Sequence, residues 1–404
     1  MAIKVKENFI EETLTKHIDR IYPNKEALRV VLESGKKLTI YWGIDPTSPH
    51  IHLGHSTNLF VLRRLQNLGH KIIILIGDFT ARIGDPSGKT TARVPLTKSQ
   101  IIKNFKNYRS QIIKILDSKK TVFKSNSAWW NKMKIIDFLM LEKLVTHQQI
   151  IGRDMFQKRI ADNNPISEME IQYPLLQGYD SVALKVDIEV GGTDGLFNMM
   201  MGRELEKTFL KKEKFVITTP LLENPKTGNK LMSKSEGNYI SMDDNSNNIY
   251  GKVMALSDEV ILTCFKLCTD VDDDRIKNIE RRLKSNENPR NIKSELAYEI
   301  VKIYHGEEKA NEAEHEFNQV FQKHELPEKI SEVILKAGEY DTADLLILAK
   351  MATSKSEARR LIAGGAVKID GRKADDFKSK VKVLPGSVIQ VGKRHFVKIK
   401  AGKL

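Results

Sequence analysis

The stretch "DPTSPHIHLGH", residues 45–55, gathers three of the chain's ten histidines around one glycine. His52 and His55 are three apart where an apolar run gives way to a helical pattern, so on a first helical turn their imidazoles face the same way. Beside a helix N-terminus, whose unsatisfied N–H groups favour negative charge, two such rings can donate to one anion. Gly54 between them lets a flat group approach the backbone closely. Taken alone, such a pair is more often a local cap or packing contact, and His50 reads as a turn residue. No metal site is expected, because no third ligand stands at zinc-like spacing. A second cationic element lies far downstream. In "NKLMSKSEGNYIS", Lys230 and Lys234 are interleaved with Met232, Ser233 and Ser235 in a glycine-flanked loop. Ammonium groups on flexible stems among small hydroxyls suit a clamp that closes on a triphosphate.

Elements must bring these two stretches together. "KLTIYWGIDPT" reads as a strand entering a turn closed by Gly43 and Pro46. "STNLFVLRRLQNLG" reads as a helix stopped at Gly69. "HKIIILIGDFT" is a continuous apolar run of the kind buried on both faces of a sheet. "TKSQIIKNFKNYRSQIIKILD" returns to helix and "TVFKSN" to a short strand, while the opening segment through "EETLTKHIDRIY" reads as helical. This alternation predicts an α/β fold with a doubly wound parallel sheet, Rossmann-like, taking ligands at the carboxyl ends of its strands. Both "GIDPTSPHIHLGH" and "GDFTARIGDPSGK" fall at such ends. Beyond them the pattern turns helical and charged, and a linker near "KAGEYDT" leads to a basic terminal module. The expected division is a catalytic domain over 1–238, an α-helical domain over 239–337 and a small α+β RNA-binding domain over 338–404.

Composition sets the outer limits. With 404 residues, 40% of them hydrophobic and 29% charged, the chain has the make-up of folded domains rather than of disorder. No apolar run approaches the roughly 20 residues of a membrane span, and "MAIKVKENFIEETL" lacks a signal-peptide apolar segment, so a cytoplasmic location is expected. Cys264 and Cys268, the only cysteines, lie in a helical stretch and read as small core residues. The net charge is +14, and from Tyr340 to Leu404 15 Lys and Arg stand against 6 Asp and Glu, a local +9. Most of the excess therefore sits in the terminal module, which points to an anionic partner.

"HLGH" and "LMSKS" together resemble the paired HIGH and KMSKS signatures of the class I aminoacyl-tRNA synthetases. The surrounding "GIDPTSPHIHLGH", "IGDPSGK", "YPLLQGYDS" and "GGTD" resemble the bacterial tyrosyl-tRNA synthetases, in the lineage with a compact terminal module. The resemblance runs over about residues 5 to 400. It implies activation of tyrosine by ATP to tyrosyl-adenylate, then transfer to the 3′ end of tRNA(Tyr), with no covalent enzyme intermediate. Catalysis of that kind is positioning and charge stabilisation of an in-line displacement. The resemblance also implies a homodimer, and Mg²⁺ arriving with the ATP phosphates rather than in a protein cage.

By the same resemblance His52 and His55 contact the phosphates, Thr47 meets the leaving pyrophosphate, and Lys230, Met232, Ser233, Lys234 and Ser235 lie on the closing loop. Lys89 and Arg93, in "GKTTAR", match basic positions of a second mobile loop. Gly54, Gly192 and Asp194 line the nucleotide site, with Asp194 as the ribose acceptor. Asp180 resembles the acceptor of the substrate phenol, Tyr41 a second phenol partner, and Asp45, Asp85, Tyr173 and Gln177 the group around the substrate ammonium. Chemistry supports the set independently. A buried phenol needs a partner, and a site built for it rejects phenylalanine, while Tyr173, Gln177 and Asp180 fall at i, i+4 and i+7 on one helical face. Two positions depart from the family. Gly195 stands where a glutamine normally follows Asp194, so that either Glu189 or another group substitutes or amino-acid affinity and selectivity are altered, and Leu231 replaces the first lysine of KMSKS, with Lys230 one place earlier. The terminal stretch resembles a ribosomal-protein-like RNA-binding fold whose phosphate-facing surface would carry Arg359, Arg360, Lys368, Arg372 and Lys373. The rivals are a tryptophan-specific relative, against which Asp180 and the terminal module argue, and a non-catalytic RNA-binding descendant, against which the intact "HLGH" and "MSKS" argue.

Overall fold

The computed structural model of the chain describes residues 2–87, 96–232, 239–285, 287–322, 330–374, 376–377, 379–392 and 395–401. Two compact units emerge, Met1–Asp244 with Val253–Glu307, and Asn245–Lys252 with Glu308–Leu404.

The first unit is built on β1 (Arg20–Tyr22), β2 (Thr39–Ile44), β3 (Lys71–Ile76), β4 (Thr121–Ser125), β5 (Ile188–Gly192) and β6 (Phe215–Thr219), in the order β1-β6-β5-β2-β3-β4. From β2 to β6 all pairings are parallel. Ile72, Ile73, Ile74, Leu75 and Ile76 are all buried, which explains why their run is continuous and not alternating. Each such side chain stabilises the sheet by about 1.5–3 kcal/mol. The chain winds outward from β2 through β3 to β4, then returns to lay β5 and β6 on the other side of β2. The direction of winding reverses between β2 and β5, and the crevice beyond their carboxyl ends is where sheets of this topology take ligands.

The helix Ser56–Asn67 packs against β3 and β5 and ends before Gly69, whose φ of +94° only glycine adopts readily. The helix Glu168–Leu184 opens on a capping box formed by Ser167 and Glu170. Glu170 is also paired with buried Arg159, Nη1 to Oε2 at 2.5 Å, which fixes where that helix begins. Three further segments meet at His17. Its Nδ1 accepts from Arg64 Nη2 at 2.6 Å and its Nε2 reaches the Thr269 carbonyl at 2.9 Å. Arg64 in turn donates to Asp270 Oδ1 at 2.7 Å and to the Lys16 carbonyl at 2.9 Å. Burial, reinforced by Arg64, holds the His17 imidazole down at about 3, so the ring is a neutral bridge with one accepting and one donating nitrogen.

Two sequence expectations need correcting. The opening segment is not wholly helical: Ala2–Thr13 and Lys25–Glu33 are helices, but Arg20–Tyr22 pairs antiparallel with β6. Three residues are too few to display a strand's period, so only the partner reveals it. Nor is "KAGEYDT" a linker, since Gly338–Asp341 is a strand of the second unit. That unit holds β7 (Ser331–Leu335), β8 (Gly338–Asp341), β9 (Val367–Ile369), β10 (Arg372–Lys373), β11 (Lys380–Val383), β12 (Val388–Val391) and β13 (His395–Ala401). Five form a sheet in the order β10-β9-β12-β13-β7, and β8 pairs with β11. The helices Thr342–Leu348 and Lys355–Ala363 bury Leu345, Leu346 and Ile362 against Val367, Ile389 and Val397. Cys264 and Cys268 are buried thiols in the helix Ile261–Cys268, as expected. Among the described residues no helix is long and apolar enough to cross a membrane.

Candidate active site

Past the end of β2 the chain runs through Asp45 and Thr47 to a tight helical turn, Leu53–His55. His52 Nδ1 accepts the Gly54 N–H at 3.2 Å, and the His52 N–H donates to His55 Nδ1 at 3.3 Å. The ring centroids are 4.0 Å apart, so the same-sided placement expected from spacing is present. With Nδ1 accepting, the neutral His52 ring carries its proton on Nε2. A Cβ at Gly54 would lie 3.1 Å from the His52 ring, so the missing side chain first accommodates this histidine.

The second motif reaches the first through the backbone. Leu53 donates to the Ile240 carbonyl at 3.1 Å, Met242 donates to Ile51 at 2.9 Å, and His52 pairs with Ser241. Leu231 is tied to Leu222 at 2.9 Å, and Met232 is buried with its sulfur receiving the Ile240 N–H at 3.4 Å. Met232 thus anchors the loop from inside the protein. Lys230 Nζ lies 2.9 Å from Asp194 Oδ2, and a Cβ at Gly192 would meet the other Asp194 oxygen at 2.8 Å. Ser233, Lys234 and Ser235, like Lys89 and Arg93, lie outside the described residues.

Asp180 is buried on the helix Glu168–Leu184. Its Oδ1 accepts the indole N–H of Trp129 at 2.8 Å and of Trp130 at 2.9 Å, and its Oδ2 accepts from Asn126 at 3.1 Å. Burial pushes this carboxyl up to about 8; the three donors pull the other way and nearby Asp45 adds to the rise. The Asn126 amide also donates to Thr80 Oγ1 at 3.0 Å, Thr80 to Asp45 Oδ1 at 2.7 Å, and Tyr173 to Asp45 Oδ2 at 3.0 Å. One hydrogen-bonded chain therefore links Asp180 to Tyr173. Gly77, after β3, makes it possible: a Cβ there would stand 1.9 Å from Asp45 Oδ1 and 2.5 Å from Thr80 Oγ1.

Gln177 and Asp85 meet through Asn198, whose amide donates to Gln177 Oε1 at 3.0 Å and to Asp85 Oδ1 at 3.4 Å. Gln177 Nε2 donates to Glu189 Oε1 at 3.1 Å. Glu189 cannot stand in for the amide absent at Gly195. Buried Lys214 is paired with it, Ser181 donates to its Oε2 at 3.3 Å, and both charged side chains are sealed from solvent. A buried carboxylate so paired holds its neighbours in place instead of meeting ligand. Tyr41 belongs to the same group. It is fully buried, with its hydroxyl 3.0 Å from Ser181 Oγ and its ring under Lys214 Nζ at 5.9 Å from the centroid.

In the second unit Arg359, Arg360, Lys368, Arg372 and Lys373 are all exposed. Lys368 and Lys373 lie directly opposite one another on β9 and β10. Two cationic side chains are thereby set side by side on one β-ribbon.

The residues missed by reading the sequence are Thr80, Asn126, Trp129, Trp130, Asn198, Ser181 and Lys214. Only "NSAWWN" carried a signal, two adjacent indoles after a short polar strand, since a buried indole N–H demands an acceptor.

Residues 33–322 match the family model for class I tRNA synthetases (W and Y), and residues 316–403 match that for the Tyrosine–tRNA ligase SYY-like C-terminal domain. The chain is 42% identical to the tyrosine–tRNA ligase of Thermotoga maritima, over 96% of this chain and 97% of the relative. Its identity with the tyrosine–tRNA ligase of Moorella thermoacetica is 44%, over 96% and 94%. The fold matches a solved tyrosyl-tRNA synthetase of Archaeoglobus fulgidus complexed with L-tyrosine, at a TM-score of 0.58 and 24% identity, over 78% of this chain and all of that one.

Proposed function

The chain belongs to the class I tRNA synthetases of the tryptophan and tyrosine branch, and from that membership we propose that it activates L-tyrosine with ATP and transfers it to tRNA(Tyr). The observation that carries the choice of amino acid is the capacity of Asp180. Burial raises this carboxyl's pKa to about 8, but each further donor to it favours the ionised form, and that form offers about four lone-pair sites. Three are filled by Trp129, Trp130 and Asn126, and the remaining one, on Oδ2, fits a single further donor such as a phenol O–H. Tyrosine has that group and phenylalanine lacks it. ATP–pyrophosphate exchange with each of the twenty amino acids tests the reading: tyrosine alone should support it, and comparable exchange with tryptophan would overturn it.

In this proposal Tyr173, Gln177, Asp85 and Asp45 take the substrate ammonium, and Tyr41 supports the phenol end from behind. The tyrosine carboxylate attacks the α-phosphorus of ATP and pyrophosphate leaves. His52, His55 and Thr47 stabilise the charge that spreads over the phosphates, joined by Lys230, Lys234, Lys89 and Arg93. Gly54, Gly192, Met232, Ser233 and Ser235 shape the nucleotide site, and Asp194 takes the ribose hydroxyls, displacing Lys230 toward the phosphates. Mg²⁺ enters as part of the substrate. A ribose hydroxyl at the 3′ end of tRNA then attacks the carbonyl of the adenylate and AMP leaves.

The work divides among 1–238 for chemistry, 239–337 for the anticodon side of tRNA and 338–404 for further RNA contact, the last module also taking in the strand Ser331–Leu335 that pairs with β13. Arg359, Arg360, Lys368, Arg372 and Lys373 supply phosphate contacts that depend on salt and not on base sequence. The enzyme acts in the cytoplasm as a homodimer. Supporting the dimer, Ile135, Ile136, Leu139 and Met140 on the helix Ile135–Glu142, with Leu144 just past its end, are large exposed apolar side chains, a patch that a second copy would cover.

A further inference from the structure

We propose that Arg153 binds the α-carboxylate of tyrosine before reaction, in the space that Gly195 leaves open. The inference rests on the tyrosine reading above. Arg153 immediately precedes the helix Asp154–Ala161. Its guanidinium stacks on Phe197, with Cζ 4.5 Å from the ring centroid, while Nη2 donates to Ser87 Oγ at 2.9 Å and Nη1 to Asn198 Oδ1 at 3.3 Å. These contacts use two of its five N–H groups. Burial lowers its pKa, with Asp85 opposing the shift, and among the described residues no carboxylate forms an ion pair with it. A cation half withdrawn from water without a carboxylate in direct contact is under-compensated, and an anionic ligand relieves that.

Position identifies which anion. Asn198, which accepts from Arg153, donates to Gln177 and to Asp85, two of the groups assigned to the substrate ammonium. Ammonium and carboxylate sit on the same carbon of an amino acid, so the anion's partner must adjoin the cation's. Gly195 lies three residues before Asn198 on the turn leading into the helix Leu196–Leu210, and a Cβ there would meet nothing within 4 Å. Residues three apart at the start of a helix face the same side, so the open space at 195 lies toward the side of Asn198, the residue that accepts from Arg153.

The chemistry predicts a distinctive kinetic pattern. One carboxylate oxygen attacks the α-phosphorus while the other is held; once the anhydride forms, the carboxyl has lost its charge and the guanidinium its partner. A contact made more strongly with substrate than with the transition state lowers KM without raising kcat. Arg153 is thus a binding residue for the ground state.

The test uses full-length Arg153→Met and Arg153→Lys in pyrophosphate exchange, with tyrosinol as competitive inhibitor. Tyrosinol keeps the phenol and ammonium and lacks the carboxylate. Arg153→Met should raise the KM for tyrosine roughly 10- to 100-fold, the loss of a charge-assisted pair, with kcat held or raised and tyrosinol inhibition unchanged. Arg153→Lys, which keeps the charge and folds even if the methionine variant does not, should fall between. Adding Gly195→Gln to either variant should bring KM back toward the parent value. Tyrosinol weakening in step with tyrosine would overturn the proposal, because Arg153 would then act only through Asn198 and Gln177; so would a fall in kcat at constant KM. A parent enzyme without tyrosine-dependent exchange would instead refute the tyrosine reading itself.

Discussion

A carboxylate enclosed by two indoles and an amide has a definite capacity, and at Asp180 one place is left. Asp180→Ala should shrink the preference for tyrosine over phenylalanine by roughly 10- to 100-fold, the worth of one buried hydrogen bond to a charged acceptor, while the KM for ATP stays within about twofold. Exchange rates for both amino acids check this, and undiminished discrimination would refute the assignment. At the other end of the site, His52→Ala or His55→Ala should lower the adenylation rate by roughly 10²-fold or more, with tyrosine affinity nearly unchanged; stopped-flow adenylate formation is the measurement. Asp180, His52 and His55 were legible in the sequence because each stands in a short stretch, "YPLLQGYDS" or "HLGH", that resembles a family signature. Trp129, Asn126, Thr80 and Asn198 were not, because their partners lie far along the chain and only the closed sheet brings them together.

At the scale of elements, the alternating strands and helices were readable because buried parallel strands are long apolar runs, as in "KIIILI". β1 and β8 were hidden because three or four residues carry no period, and the partner strand decides their state. His17 is another tertiary feature, with a testable consequence. Its folded pKa of about 3 lies below the ordinary imidazole value. Above the unfolded value both states are neutral and pH has no effect. Below it the unfolded chain gains a proton that the folded one refuses, so stability falls by at most about 1.4 kcal/mol per pH unit until the folded value is reached. Arg64 and Lys16 repel the new charge and Asp270 attracts it only in part. His17→Asn stays neutral and tolerates the left-handed backbone at this position (φ +63°). Thermal melts at pH 7 and pH 5 should show the parent losing stability over that interval, and the variant a distinctly smaller loss.

For the whole molecule, the two units make separable contributions. β7 pairs with β13 and β8 with β11, so a clean removal of the module must begin before Ser331. Deleting 330–404 should leave tyrosyl-adenylate formation nearly intact and depress tRNA charging severely. Arg359→Glu with Arg360→Glu should reproduce much of that defect and reduce the salt dependence of charging by about two phosphate contacts. Full-rate charging by the truncated chain would mean that the module serves another anion. The exposed apolar patch gives an independent test. Leu139→Glu with Met140→Asp should convert a dimer to monomers in sedimentation equilibrium without lowering the melting temperature of the unit by more than a few degrees, since both side chains are exposed in the single chain.

Gly77 bears on how this protein can change over generations. Every single-base substitution in a glycine codon that alters the residue adds at least a Cβ, and at this position a Cβ collides with the Asp45 carboxylate and the Thr80 hydroxyl. Those two groups lie between Tyr173 and Asp180 in one hydrogen-bonded chain. No amino-acid replacement at that codon therefore leaves the pocket unchanged. A lineage drifting toward another amino acid substrate can explore Asp180 and Gly195 one base at a time, but it must leave residue 77 without a side chain.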